Sequence, residues 1–245
     1  MTAVSSVATF LRENTNERVF RLAKAAHQTI LRPSKTETEM NYWTMKYKRE
    51  GGRLKNGHYE TLMREMAKPL TEDDLAGKLV CDFGCGPRGS LTWLTDRAHC
   101  VGIDLLVSDY MAAFPAVMRD NNMTYVGSSE HHIPIQSGQA DILFTMNALD
   151  HVAALPTMCD ELLRILKPGG HFIGSFNIGE PATVTEPQSL DEATLDALLL
   201  DRLEEMSRRF APKFHDSVYA GFFGRAAAPG DDGPRVMWYV GRKPG

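Results

Sequence analysis

Asp82-Phe83-Gly84-Cys85-Gly86-Pro87-Arg88-Gly89 closes the apolar run Leu79-Val80-Cys81. A short apolar run that ends in an acid and enters glycines reads as a buried strand passing into a tight turn. Glycine lets the backbone turn sharply there and lets a ligand approach the main chain. The spacing predicts a helix from about Ser90, whose first N–H groups lack intrahelical partners and face the ligand. Gly84, Gly86 and Gly89 also satisfy G-x-G-x-x-G, and Asp104 stands 20 residues after Gly84, where a dinucleotide site places its ribose-binding acid. By itself the loop admits a nicotinamide cofactor, another adenosine-bearing cofactor, or a tight turn with no ligand.

Downstream, short apolar runs alternate with helical stretches, the pattern of βαβ units and a parallel sheet. The runs cover residues 79–82, 100–104, 124–126, 141–144 and 171–176. Residues 190–209 read as a charged amphipathic helix. Residues 217–224 and 235–240 read as two strands joined by a Gly-, Pro- and Asp-rich loop, a hairpin in which one strand runs antiparallel. Upstream, Val4, Val7, Ala8 and Leu11, then Val19, Leu22, Ala23 and Ala26, recur at helical spacing. Pro33 interrupts them. A third helix over 39–49 ends at Gly51-Gly52, and a fourth runs from 58 to about 66 with Pro69 beyond it. Residues 1–76 are thus expected to form a helical cap or lid, and residues 77–245 the cofactor-binding domain.

The chain has 245 residues, 43% hydrophobic and 24% charged, with a net charge of -4. Such a length buries a full core without disulfides or metals. The charge balance argues against a dedicated nucleic-acid binder. Cys81, Cys85, Cys100 and Cys159 form no C-x-x-C pair and no zinc-finger set, so they read as reduced thiols and no metal is expected. No run of about 18 apolar residues is present, and the first residues lack a basic region followed by an apolar core. The expectation is a cytoplasmic protein with no membrane partner; the oligomeric state is left open.

From Leu79 to Phe176 the chain resembles class I S-adenosylmethionine-dependent methyltransferases, of the type 11 kind. The motifs stand in the family's order: Val80-Cys81-Asp82-Phe83-Gly84-Cys85-Gly86, then Gly102-Ile103-Asp104, then Gly127-Ser128-Ser129-Glu130 closed by Ile133-Pro134, then Asp141-Ile142-Leu143-Phe144 followed by Asn147-Ala148-Leu149-Asp150-His151, and last Leu163-Arg164-Ile165-Leu166-Lys167-Pro168-Gly169-Gly170. The resemblance implies an α/β fold: a Rossmann-like, doubly wound, mostly parallel seven-stranded sheet with an antiparallel last strand, plus the N-terminal helical cap. It implies S-adenosyl-L-methionine as cofactor. Asp82, Gly84, Cys85 and Gly86 would hold the methionine end, Asp104 and Leu105 the ribose side, Ser129 and Glu130 the adenine, and Asn147 the edge beside the reacting centre. A carboxylate accepts two hydroxyls at once, which suits Asp104 to a ribose. The chain departs from the family at Arg88, where a third glycine is usual, and at Ser128, where many relatives carry Asp.

The acceptor side draws on the N-terminal helices, the loop after Asn147 and the segment after Phe176. Aromatic residues occur in all three: Tyr42, Trp43, Tyr47 and Tyr59, then Phe176, then Tyr219, Phe222 and Phe223. Aromatic walls attract a sulfonium and exclude water; equally, Trp43 and Tyr47, at i and i+4, pack one helix face onto the core. Asn147, His151 and Tyr47 are the candidate catalytic residues. His151 titrates near neutrality and suits a general base, or else packs the helix that follows. His58 is the other conspicuous histidine, while His131-His132 reads as an exposed loop. Residues 180–187 are proline-rich and form either an acceptor loop or tight turns. Methyl transfer to a small molecule by in-line displacement is the expected activity. The alternative is a lyase or cyclase of the azetidine-2-carboxylate synthase kind, which consumes the same cofactor and releases methylthioadenosine.

Overall fold

The computed structural model describes residues 34–214, 216–226 and 233–245; the helical repeats between Val4 and Ala26 lie outside the described residues. The chain divides into two compact units, Met1–Glu39 and Met40–Gly245. The second holds the sheet and all the residues discussed below.

In chain order the elements are α1 (Lys35–Arg49), α2 (His58–Ala67), α3 (Glu72–Leu75), β1 (Leu79–Phe83), β2 (His99–Asp104), α4 (Val107–Ala113), α5 (Pro115–Asp120), β3 (Thr124–Gly127), β4 (Ala140–Met146), α6 (Leu155–Ile165), β5 (Leu166–Ile178), α7 (Glu192–Leu198), β6 (Glu204–Pro212) and β7 (Arg235–Arg242). The strands form one seven-stranded sheet in the order β3-β2-β1-β4-β5-β7-β6. β1 pairs in parallel with both β2 and β4, whereas β7 runs antiparallel to both β5 and β6. This is the expected doubly wound sheet with an antiparallel last strand.

The central strands are apolar on both faces because both are covered. Alternate side chains point to opposite sides. Cys81, Phe83, Leu143, Phe172 and Tyr239 share one core with Met158 and Leu162 of α6 and Leu195 of α7. Val80, Ile142, Phe144, Ile173 and Trp238 share the other with Tyr59, Met63 and Met66 of α2. Met63 and Met66 are fully buried, each contributing about 1.5–3 kcal/mol. The helix expected from residue 58 therefore covers the sheet directly.

Three local readings differ from the structure. The helix expected at Ser90 is a single 3-10 turn, Thr92–Leu94, because the chain must reach β2 at His99. The helix expected over 190–209 stops at Leu198, and its second half is the edge strand β6. Charged side chains suit an edge. Here the guanidinium groups of Arg208 and Arg209 lie over the rings of Tyr239 and Trp238, at 5.5 and 5.3 Å, so arginine stems supply the apolar cover that Val or Ile usually supplies. The strand expected over 217–224 is the 3-10 turn Ala220–Phe223. Phe222 stacks flat on Trp238 at 3.6 Å, and the closing hairpin is β6–β7 instead. The Lys167-Pro168-Gly169-Gly170 turn lies inside β5: Leu166 pairs with Ala140 and His171 with Ile142, so the residues between them bulge out of register.

Candidate active site

The chain winds outward from β1 to β3, then returns across to β4. The crevice at that switch, outside the carboxyl ends of the strands, is where open α/β sheets bind ligands. The glycine loop after β1 forms one wall and Asn147, after β4, the other.

Gly84 has φ +75°, and a Cβ there would lie 2.2 Å from Cβ of Ala148. Only glycine lets the β1 and β4 loops approach this closely. At Gly86 a Cβ would lie 2.8 Å from the Trp43 ring, so α1 closes over the loop at that point. The loop is tied to β2 by Gly84 N–H donating to Ile103 O at 2.8 Å. Gly86 N–H donates to Oδ2 of Asp104 at 3.0 Å, and Leu106 N–H to Oδ1 at 2.9 Å. Asp104 thus fixes the loop and the start of α4 together. A carboxylate oxygen has two acceptor sites, so one N–H on each does not exclude a hydroxyl on each. Leu105 beside it is exposed apolar surface.

Asp82 is 2% exposed. Its Oδ2 accepts from the Ser90 hydroxyl, and its Oδ1 has no hydrogen-bond partner among the described residues. Burial, with Asp104 nearby as a like charge, pushes its carboxyl up to about 7. A buried carboxylate oxygen without a donor is costly. Cys85 is buried with its thiol against Gly102, and burial raises it well above the usual thiol range; the residue offers the ligand only its backbone. All four cysteines are buried and unpaired.

Arg88 departs from the ligand side altogether. It is buried, donates to Glu50 and to the Lys55 carbonyl, and lies 5.8 Å from the Trp43 ring. In place of a third glycine it pins the loop to the segment after α1. In the segment after β3, Ser128 N–H donates to the Asp104 carbonyl at 3.0 Å, and Ser129 N–H to the His132 carbonyl at 2.9 Å. Glu130 Oε2 accepts from Ala153 N–H at 3.1 Å. His131 and His132 are exposed, and His132 meets an acid the sequence reading did not assign it, Glu161, at 2.8 Å.

Asn147 has φ +48°, a left-handed conformation that Asn tolerates better than most residues. Its N–H donates to the Ser175 carbonyl at 2.9 Å, and its Oδ1 accepts from the Ser175 hydroxyl at 3.0 Å. The buried phenol of Tyr219 lies beside Ser175 and Asn147; burial raises its proton affinity, and it lies in the fields of Asp150 and Asp82. Tyr59, buried on α2, feels Arg88, Asp82 and Tyr219. His151 immediately follows Asp150, half-buried, with Nε2 3.8 Å from Oε1 of Glu186. Tyr47 takes another position: it packs on Phe114 at 5.2 Å, in the cluster of Leu106 and Tyr110. Phe176 is buried in the sheet core against Phe172. His58 stacks on Tyr59 at 4.3 Å, and burial followed by Arg88 lowers its proton affinity. Sequence reasoning missed Ser90, Ser175, Asp150 and Glu186; only the position of Asp150 within the motif after β4 could have signalled one of them.

The family described as "Methyltransferase domain" matches residues 81–174. Sterol 24-C-methyltransferase erg6 of Schizosaccharomyces pombe is 31% identical over 101 residues, 39% of this chain and 27% of that protein. The chain spans less than half the length of the curated relatives it matches. Among solved structures, phosphoethanolamine N-methyltransferase 2 of Haemonchus contortus, in complex with S-adenosyl-L-methionine, superposes with a TM-score of 0.57 at 14% identity, covering 90% of this chain and 60% of that one. The [4+2]-cyclase SpnF superposes with a TM-score of 0.63 at 14% identity, covering 86% and 97%. At these identities the likeness is one of fold. The strand order, the glycine cradle, the two strand-end acids and the matched family agree: residues 81–174 carry a class I S-adenosylmethionine-dependent methyltransferase domain.

Proposed function

We propose that this chain transfers the methyl group of S-adenosylmethionine to a small molecule. The observation that carries the reading is the hydrogen-bonded pair Asn147–Ser175 beside the glycine loop, with the buried phenol of Tyr219 next to it. It forms a polar, partly buried wall where the methyl donor meets its acceptor. The names of relatives such as erg6 favour small acceptors, and nothing in the charge balance favours nucleic acid. When bound, the cofactor supplies an activated sulfonium methyl. Asp82 holds its ammonium, Asp104 its ribose hydroxyls, and Gly84, Cys85 and Gly86 line its methionine end. Tyr59 and Trp43 help exclude water, and positioning carries most of the rate. We place α2 and the part of α1 from Met40 onward as the cap over this site. Incubation with S-adenosylmethionine alone is the test. S-adenosylhomocysteine formed only with an added acceptor supports transfer; methylthioadenosine without acceptor means a lyase and overturns it.

Two further outcomes are expected. Asn147→Ala lowers kcat on the order of 10–100-fold, because Ser175 loses the amide that orients it. The loss is flat between pH 6 and 9, since an amide moves no proton; a loss rescued at high pH moves the role to His151.

The second outcome concerns Asp82. A carboxyl raised to about 7 destabilises the cofactor-free fold as pH rises from the ordinary carboxylate range to about 7. Cofactor binding ionises Asp82, so below about pH 7 it releases a proton. Affinity therefore rises about tenfold per pH unit and levels off above about 7. Calorimetry in buffers of different ionisation heat reads the proton directly. An Asp82→Asn variant that keeps the slope removes Asp82 from the ammonium site.

A further inference from the structure

Asp150 and His151 end the 3-10 turn Leu149–His151 after β4, and Glu186 comes from the proline-rich loop after β5. One ligand atom from each, a histidine nitrogen and two carboxylate oxygens, lies within 4.8 Å of the others. A second observation points into the same place. Asp150 is 4% exposed and Asn177 6% exposed, yet Oδ1 of each has no hydrogen-bond partner among the described residues. Asp150 Oδ2 accepts only a long bond from Asn177 Nδ2, at 3.3 Å. A buried carboxylate with an unmet oxygen is stabilised by a cation more than by any neutral donor.

The loop that brings Glu186 here is built, not draped. Gln188 N–H donates to the Asp150 carbonyl at 3.2 Å, and its side-chain amide to the Val152 carbonyl at 2.9 Å. Thr183 and Glu186 exchange backbone and side-chain bonds, Thr183 N–H to Glu186 O at 2.7 Å and Glu186 N–H to Thr183 Oγ1 at 3.0 Å. These bonds hold the Glu186 carboxylate over the Asp150 turn.

We propose that Asp150, His151 and Glu186 hold one divalent metal ion at the acceptor side of the crevice. One imidazole and two carboxylates suit a first-row ion such as Mn2+. Two ligands each about 2.1 Å from a metal lie at most about 4.2 Å apart. The 3.8 Å between His151 Nε2 and Glu186 Oε1 already meets that limit, and a small side-chain rotation closes the widest gap. Three protein ligands leave coordination positions open. Ala148, two residues before Asp150, packs against the glycine loop at Gly84, so the turn that carries Asp150 and His151 starts from the wall of the crevice. Resting on the methyl-transfer reading, the ion's partner is an acceptor with a hydroxyl or carboxylate oxygen; its binding by the chain does not depend on that reading.

The experiment is a titration of the untagged full-length chain, first dialysed against a chelator, with Mn2+ followed by calorimetry and by the loss of the free-ion paramagnetic signal. One saturable site per chain with Kd below 100 μM is expected. Glu186→Gln and His151→Ala each weaken it at least tenfold, while S-adenosylmethionine affinity and the melting temperature without metal stay within error. No saturable site below 1 mM overturns the proposal, and so does a site that both variants leave unchanged. Neither result bears on methyl transfer, which is read separately from product formation.

Discussion

Asp104→Ala is expected to weaken S-adenosylmethionine binding by about two to four orders of magnitude. Two hydroxyl–carboxylate bonds are lost, each worth about 1.5–3 kcal/mol, so the sum is about 3–6 kcal/mol. The variant also strips the acceptor from the N–H groups of Gly86 and Leu106, so the loop loosens and the cofactor-free fold loses about 1–3 kcal/mol. Calorimetric titration measures the first effect and thermal melting the second. Asp104→Asn keeps one acceptor oxygen and falls between. Wild-type affinity in the alanine variant removes Asp104 from the ribose site, whatever happens to the melting temperature.

Gly84→Ala carries the largest expected cost to the fold. The left-handed backbone at φ +75° penalises a side chain by about 1–2 kcal/mol. The new Cβ would stand 2.2 Å from Cβ of Ala148, an overpacking that costs about 1–3 kcal/mol more. A total of about 2–5 kcal/mol lowers the melting temperature by roughly 4–20 °C for a chain of this size. Ala148→Gly in the same chain removes the collision and leaves the backbone strain, so the double variant recovers about the overpacking share. A double-mutant cycle isolates that coupling. If Gly84→Ala melts like wild type, the β1 and β4 loops are not in contact and the crevice has another shape.

Much of this was legible because it is local. Asp82 and Asp104 each end an apolar run, and an acid at a strand's carboxyl end lands at the ligand edge whatever the rest of the chain does. The glycine spacing and the alternation of runs and helices set the sheet class before any packing is known. The β6 error has a local cause as well. The residues Glu204 to Arg209 are charged like a helix face, and what makes them a strand is the aromatic surface of β7, which lies beyond them in the chain. The same holds for residues 217–224, whose apolar and aromatic residues read as a strand but are held as a turn against Trp238.

The sequence by itself determined the parallel βαβ core, the glycine loop and the two acids that frame it, since each follows from residue type and short spacing. Tertiary structure alone decided that Arg88 faces Glu50, that Trp43 closes on Gly86, that Asn147 is bound to Ser175, and that Glu186 meets Asp150 and His151. Each of these joins side chains from separate loops. Such pairs leave no periodicity in the sequence, because the sheet's crossovers, not the local chain, bring them together.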